Sequence, residues 1–168
     1  LQPVLGFLAG CLASSAVADI SLSPHLDSHM VVQQGAPISI TGTADPGAEV
    51  VVNFGEDVAR ARANRAGRFQ VALPAQEANA TPRTLVIESG PDRVELEDVL
   101  VGEVWFCSGQ SNMVWRMRSS DKFEEFQADA NRPTIRTFNA HNVAAEEPRE
   151  ELPGGWLVCT PETIGDFS

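Results

Sequence analysis

Positive charge is scarce in this sequence of 168 residues, in which 12 lysines and arginines stand against 23 aspartates and glutamates. The net charge of −11 and the pI of about 4.6 describe an acidic surface that repels phosphate backbones, so we expect no nucleic-acid partner. Internal repeats and low-complexity tracts are also missing. The hydrophobic fraction of 43% is ordinary for a folded protein, and the length allows one or two small domains.

Charge is missing altogether from residues 1–18, where Gly, Ala, Ser and Leu dominate. Ala16-Val17-Ala18 before Asp19 forms the small-residue cleavage pattern of a secretory leader, and a membrane span is not expected. Because the chain begins with Leu rather than Met, we expect the true start to be missing. We predict a leader over residues 1–18 and an exported, periplasmic or extracellular protein. Leu8-Ala9-Gly10-Cys11 offers an alternative, because it resembles the lipoprotein cleavage box and would anchor the protein through Cys11.

Between residues 19 and 100, short apolar runs alternate with turn residues at a spacing typical of an all-β, Ig-like sandwich. Asp45-Pro46-Gly47 predicts a type II turn. The turn over residues 64–67 predicts a hairpin between the apolar runs at 58–63 and 69–73. We therefore assign residues 19–100 to a β-sandwich module.

The pattern changes after residue 100. Val104 to Cys107 is apolar on both faces, as in a parallel strand covered on both sides, which places Trp105 in the core. Asp121 to Glu124 has the pattern of a capping box and predicts a helix. Thr134 to Phe138 predicts a further strand. A strand, a helix and a strand in this order indicate the beginning of an α/β domain.

A small polar turn, Ser108-Gly109-Gln110-Ser111, interrupts the apolar residues, which return at Met113, Trp115 and Met117. A serine between a strand and a helix lies beside free N–H groups that stabilise negative charge, and nucleophilic serines are often presented in this way. The motif departs from G-x-S-x-G, since Asn112-Met113 follows Ser111 where that motif has glycine. A plain loop is the alternative interpretation.

Val104 to Met113 closely resembles the opening of the catalytic domain in sialate O-acetylesterases, which are carbohydrate esterases of the SGNH-hydrolase superfamily. The resemblance continues through Trp156 to Thr163 and at Phe167-Ser168, and upstream through a β-rich module. Its specific part is the Gly-Gln-Ser-Asn-Met segment over residues 109–113. The resemblance implies a flavodoxin-like α/β domain that begins at residue 101 and is incomplete at residue 168, so we expect an N-terminal fragment.

The same resemblance implies a role for each residue of the turn. Ser111 would attack the acyl carbonyl, and its backbone N–H would contribute to the oxyanion hole. Gln110 and Asn112 are candidates for binding substrate, which would be an O-acetylated sugar or glycan. The family's base is the histidine of a late Asp-x-x-His block, which this sequence lacks, so we expect the 168 residues alone to be inactive. No cofactor is expected.

The histidines and cysteines of the sequence are not assigned a catalytic or metal-binding role. His141 follows a predicted strand and is interpreted as an exposed loop histidine rather than the base. His25 and His29 lie in a strand-and-turn region, so no metal site is expected there. Cys107 and Cys159 are either a disulfide or buried free thiols.

Two further functions stay open. A non-catalytic carbohydrate-binding protein would need an exposed aromatic row on the sandwich, where Phe54 and Phe69 are expected in the core instead. A serine lipase or peptidase is expected to have glycine at the position of Met113. We rank the O-acetylesterase first.

Overall fold

The computed structural model describes residues 19–141, 143–147 and 152–168. The predicted leader over residues 1–18 lies outside the described residues. Strands dominate what is described, and helix is confined to one α-helix and three 3₁₀ helices. Within these ranges, none of the helices has the length and apolarity needed to cross a bilayer.

Eight strands form the N-terminal part: β1 (Ser21–Leu22), β2 (Val31–Gln33), β3 (Ile38–Thr43), β4 (Glu49–Phe54), β5 (Asp57–Arg62), β6 (Arg68–Leu73), β7 (Asn79–Ser89) and β8 (Asp92–Gly102). They form two sheets, with the strand orders β1-β3-β6 and β2-β8-β7-β4-β5. Neighbours run antiparallel except β2 and β8, which run parallel. The predicted all-β, Ig-like sandwich is confirmed.

Alternation of side chains along the strands builds the core between the two sheets. In β6, every second residue is buried, and Phe69, Val71 and Leu73 face the opposite sheet. Phe54 at the end of β4 has no exposed surface at all. Both phenylalanines of the module therefore lie in the core, as the sequence predicts.

The turns show where local sequence is a sufficient guide and where it is not. Gly47 has a φ of 81°, and the N–H of Ala48 donates to the carbonyl of Asp45 at 3.0 Å, as a type II turn requires. The turn over residues 64–67 also forms, but the predicted hairpin is wrong. β5 pairs with β4 and β6 pairs with β3, so the turn carries the chain from one sheet to the other. Turn residues determine that the chain reverses, while the partner of each strand depends on distant residues.

The C-terminal part contains α1 (Phe123–Ala128), β9 (Arg132–Ala140) and β10 (Gly154–Cys159). The helix and the strand over residues 134–138 are confirmed. The capping box is wrong, because the N-cap is Lys122, which has a φ of 60° and makes no side-chain cap hydrogen bond. β9 pairs with β10 in an antiparallel ribbon, so a parallel β-α-β unit does not form within the described ranges.

The predicted strand over residues 104–107 is also wrong. This segment has no regular structure, and Trp105 and Phe106 are 81% and 90% exposed, so Trp105 is not a core residue. A strand that is apolar on both faces needs neighbouring strands and covering helices. In the part of the chain that the structure describes, neither is present around residues 104–107.

Candidate functional site

Ser111 begins a short 3₁₀ helix over Ser111–Val114, nine positions after the end of β8, and its side chain is exposed. The helix closes through two hydrogen bonds, from Met113 N–H to the carbonyl of Gln110 at 2.9 Å and from Trp115 N–H to the carbonyl of Asn112 at 3.2 Å. The expected α-helix after the serine is therefore replaced by a 3₁₀ helix of four residues. Gln110, Ser111 and Asn112 are consecutive and all exposed, so they form one polar surface.

Gly109 is needed for the shape of this turn. A Cβ atom at this position would lie 2.8 Å from Cγ of Met113, closer than real Cβ atoms approach other heavy atoms. Met113 is half-buried, and its side chain lies against Gly109. The Gly-Gln-Ser-Asn-Met segment thus folds back on itself, which places the polar side chains outside.

The turn is held from its C-terminal side by the last residues of the chain. The N–H of Met117 donates to the carbonyl of Phe167 at 2.8 Å. Arg116 donates to the carbonyl of Asp166, and Arg118 donates to the carbonyl of Gly165 at 3.1 Å and pairs with the carboxylate of Asp166. The segment over residues 116–118 is therefore fastened to the segment over residues 165–167.

The other predicted residues lie away from this turn or play no part in it. His141 is exposed just after β9, as expected of a loop histidine, and its N–H donates to the carbonyl of Pro153 at 2.8 Å. The hydroxyl of Ser111 makes no hydrogen bond within the described ranges. In those ranges there is likewise no group of three metal-ligating side chains.

The two cysteines are both free, so the disulfide alternative is wrong. Cys159 is a buried thiol that donates to the carbonyl of Ala130 at 3.3 Å. Cys107 is exposed, which corrects the expectation of two buried thiols. The exposure of Cys107 has the same cause as that of its neighbour Phe106, since no layer covers the segment in the part of the chain that the structure describes.

A cluster that sequence reasoning missed joins β9 to the sandwich. The side chain of Arg136 is only 2% exposed, and its guanidinium donates to the carboxylate of Asp98 at 2.9 Å and to the carbonyl of Asp98 at 2.6 Å. It also donates to the carbonyl of His29 at 2.9 Å, while Nδ1 of His29 lies 2.6 Å from the other carboxylate oxygen of Asp98. The three residues are 38 to 107 positions apart, so no local pattern could have indicated their meeting.

The backbone at this cluster is unusual as well. His29 and Asp98 have φ values of 69° and 58°, in the left-handed region that non-glycine residues rarely occupy. This conformation directs the carbonyls of both residues to the same guanidinium. The hydrogen bonds to Arg136 offset the conformational cost, which for such residues is on the order of 1 kcal/mol or more.

The groups around Asp98 favour the ionised form of its carboxylate. Burial raises the pKa of Asp98, but hydrogen bonds from Arg136 and His29 outweigh burial, so the pKa of Asp98 lies below its usual value. Elsewhere, burial lowers the pKa of His25, whose carbonyl accepts a hydrogen bond from the indole of Trp156 at 2.8 Å. Trp156, on β10, also packs on the sandwich core.

The depressed pKa predicts acid sensitivity. A carboxyl group that is more acidic in the folded than in the unfolded state stabilises the fold above its unfolded pKa of about 3.9, and this stabilisation is lost as the pH falls through the folded value. We expect Asp98→Asn to reduce the free energy of unfolding by about 2 kcal/mol at pH 7 and by less below pH 4. Urea unfolding at pH 7 and pH 3 measures the difference.

Asp129→Asn is the matched control for this measurement, because Asp129 pairs with Arg132 on the surface, where both side chains are more than half exposed. Its cost should be small at both pH values. An equal loss from Asp98→Asn at pH 7 and pH 3 would contradict the role assigned to the carboxylate.

Comparison with known proteins agrees with this architecture. Residues 25–90 match the family described as bacterial Ig domain. The sialate O-acetylesterases of Rattus norvegicus and Mus musculus are each 26% identical to the chain, over 85% and 98% of its length and 28% and 33% of theirs. The crystal structure of a carbohydrate acetylesterase from Xanthomonas citri aligns with a TM-score of 0.85 and 30% identity, over 88% of this chain and 34% of that one.

The two sheets, together with the match over residues 25–90, indicate that the N-terminal part is an immunoglobulin-like β-sandwich. The similarity of the whole chain goes further and confirms the predicted resemblance: the chain is related to the sialate and carbohydrate O-acetylesterases. It spans about a third of the length of these relatives.

Proposed function

We propose that this chain contributes the nucleophile of an exported carbohydrate O-acetylesterase of the SGNH type, and that the nucleophile is Ser111. The observation that carries the proposal is the exposed turn over residues 109–113. It presents Ser111 to solvent in a chain related to acetylesterases, at the segment where the sequence resemblance is specific.

The proposed reaction proceeds in two steps. The Oγ atom of Ser111 attacks the carbonyl carbon of an acetyl ester while a base takes its proton, and the sugar oxygen leaves with a proton. Water then attacks the acetyl-enzyme, which releases acetate and restores the serine. The N–H of Ser111 opens the 3₁₀ helix and makes no hydrogen bond within the described ranges, which supports its role as a donor to the oxyanion.

The base belongs to the part of the proposed enzyme that these 168 residues do not supply. Within the described ranges no histidine is hydrogen-bonded to Ser111, and the sequence lacks the Asp-x-x-His pattern that the resemblance leads us to expect. We therefore propose that residues 101–168 form the first part of the esterase domain, after the module over residues 19–100. The 168 residues alone are expected to be inactive.

Substrate contacts are proposed for the surface beside Ser111. Gln110 and Asn112 flank Ser111 and are both exposed, which supports the proposal that their amide groups hydrogen-bond a sugar hydroxyl. Trp105 and Trp115 are exposed as well, and aromatic faces of this kind stack on sugar rings. The substrate class is an O-acetylated sugar or glycan, and the chemistry needs no cofactor.

The experiment is hydrolysis of p-nitrophenyl acetate and of an O-acetylated sugar by the full-length protein, with the isolated 168 residues alongside. We expect turnover by the full-length protein only. Mass spectrometry after a rapid acid quench should find one acetyl group on the peptide that contains Ser111. Acetylation of a different residue would disprove the assignment of Ser111 as the nucleophile. Turnover by the isolated 168 residues would disprove the proposal that they lack the catalytic base.

A further inference from the structure

We propose that Arg136 is a positioning residue through which the Ig-like module fixes the segment that carries Ser111. A role of Arg136 in catalysis rests on the proposed function, but the physical link between the module and the segment that carries Ser111 does not. It is a chain of direct contacts that leads from the sandwich through β9 and the segment over residues 165–167 to the turn.

The first contact lies at the end of the sandwich. Asp98 on β8 and the backbone of His29 before β2 surround the guanidinium of Arg136. Its Nε also donates to the carbonyl of Pro133 on the same strand, at 3.1 Å, so hydrogen bonds are made from all three guanidinium nitrogens. A side chain with this many acceptors has one orientation, and it holds β9 in one position on the module.

The second contact lies three residues further along β9. The side-chain amide of Asn139 donates to the carbonyl of Asp166 at 3.0 Å. The same carbonyl accepts a hydrogen bond from Arg116, two residues after the 3₁₀ helix that Ser111 begins. One carbonyl oxygen therefore joins β9 to the segment that follows the nucleophile.

These contacts matter because the turn has little other support. Residues 103–112 are all exposed, so burial does not hold them in place. Their hydrogen bonds to the sandwich, from Val104 N–H to Oε1 of Gln33 at 2.8 Å and from Nε2 of Gln34 to the carboxylate of Glu103 at 2.9 Å, lie seven and eight residues before Ser111. A 3₁₀ helix of four residues is not stable by itself. The position of Ser111 relative to the rest of the protein is therefore determined mainly by the hydrogen bonds made at residues 116–118, and through them by β9.

Other contacts hold the ribbon on the module, which makes a selective test possible. Trp156 on β10 packs on the core and donates to the carbonyl of His25, and its ring centroid lies 5.6 Å from that of Phe138. Loss of Arg136 should therefore loosen β9 and the turn without releasing the whole ribbon.

The test is hydrogen exchange on the 168 residues, with the amide of Met117 as the reporter, since this amide bonds to the carbonyl of Phe167. We expect Arg136→Met to accelerate exchange at Met117 about tenfold, while the amide of Val52 in the sandwich keeps its protection. Arg136→Lys should behave similarly, because an ammonium group cannot reproduce the fork of a guanidinium. Arg93→Met is the control, since Arg93 pairs with Glu88 and Glu95 on the exposed face of the sheet.

Unchanged exchange at Met117 in a folded Arg136→Met variant would overturn the proposal. Equal acceleration at Met117 and Val52 in Arg136→Met and Arg136→Lys would also overturn the proposal, because Arg136 would then stabilise the fold as a whole. In the full-length protein we expect Arg136→Met to lower kcat about tenfold with little change in KM. If Ser111→Ala retains activity, the proposed function fails, while the exchange result still decides the link between the module and the turn.

Discussion

Replacing Ser111 with alanine is expected to lower kcat/KM for ester hydrolysis by the full-length protein by about four to six orders of magnitude. The change removes the only atom that bonds to the acetyl group in the proposed reaction, and serine hydrolases lose activity on this scale when the nucleophile is removed. Steady-state kinetics with p-nitrophenyl acetate measure the loss. Circular dichroism should be unchanged, because Ser111 is exposed and its hydroxyl makes no hydrogen bond to the described residues.

Ser108→Ala is the matched control, since Ser108 is an exposed serine three residues earlier in the same segment. Its kcat/KM should stay within about threefold of the wild-type value. Similar losses in the two variants would show that the segment tolerates no change, and would leave Ser111 without a special role. Retention of full activity by Ser111→Ala would remove the nucleophile assignment.

Replacing Phe54 with alanine is expected to reduce the free energy of unfolding by about 3–5 kcal/mol. Phe54 is fully buried between the two sheets, and the guanidinium carbon of Arg83 lies 4.0 Å from the centroid of its ring. The variant loses the burial of the ring, leaves a cavity and removes this cation–π contact. A domain of this size has about 5–15 kcal/mol in total, so denaturant midpoints should shift strongly.

Phe106→Ala makes the same chemical change at a side chain that is 90% exposed. It should alter the free energy of unfolding by no more than about 0.5 kcal/mol. Equal losses from the two substitutions would mean that Phe106 is covered in solution, and that the apolar segment around it is packed against something.

The sandwich could be predicted because its determinants are local. A strand with one buried face shows alternation within six residues, as β6 does, and Gly47 indicates a turn because few other residues adopt its positive φ. The partners of the strands could not be predicted in the same way. The turn between β5 and β6 has hairpin residues, yet it joins two different sheets.

The segment over residues 104–107 shows the limit of a hydrophobic pattern. An apolar run predicts burial only if other parts of a protein cover it, and the pattern cannot say whether these are present. For this reason the pattern predicts Trp105 in the core, whereas its side chain is exposed. The turn over residues 109–113 could be recognised as a turn because its glycine and small polar residues are consecutive. The Arg136 cluster could not, because its members come together only when β8 and β9 meet.

The chain contains three tryptophans and no tyrosine, so its fluorescence reports on the surroundings of the three indole rings. Nearly all absorption near 280 nm and all emission excited there come from indole rings. Trp105 and Trp115 lie in solvent, whereas Trp156 is tilted by 60° against Phe138 and packs on the sandwich. Iodide should therefore quench two of the three emitters, and the blue-shifted remainder of the spectrum reports on the junction between the ribbon and the sandwich alone.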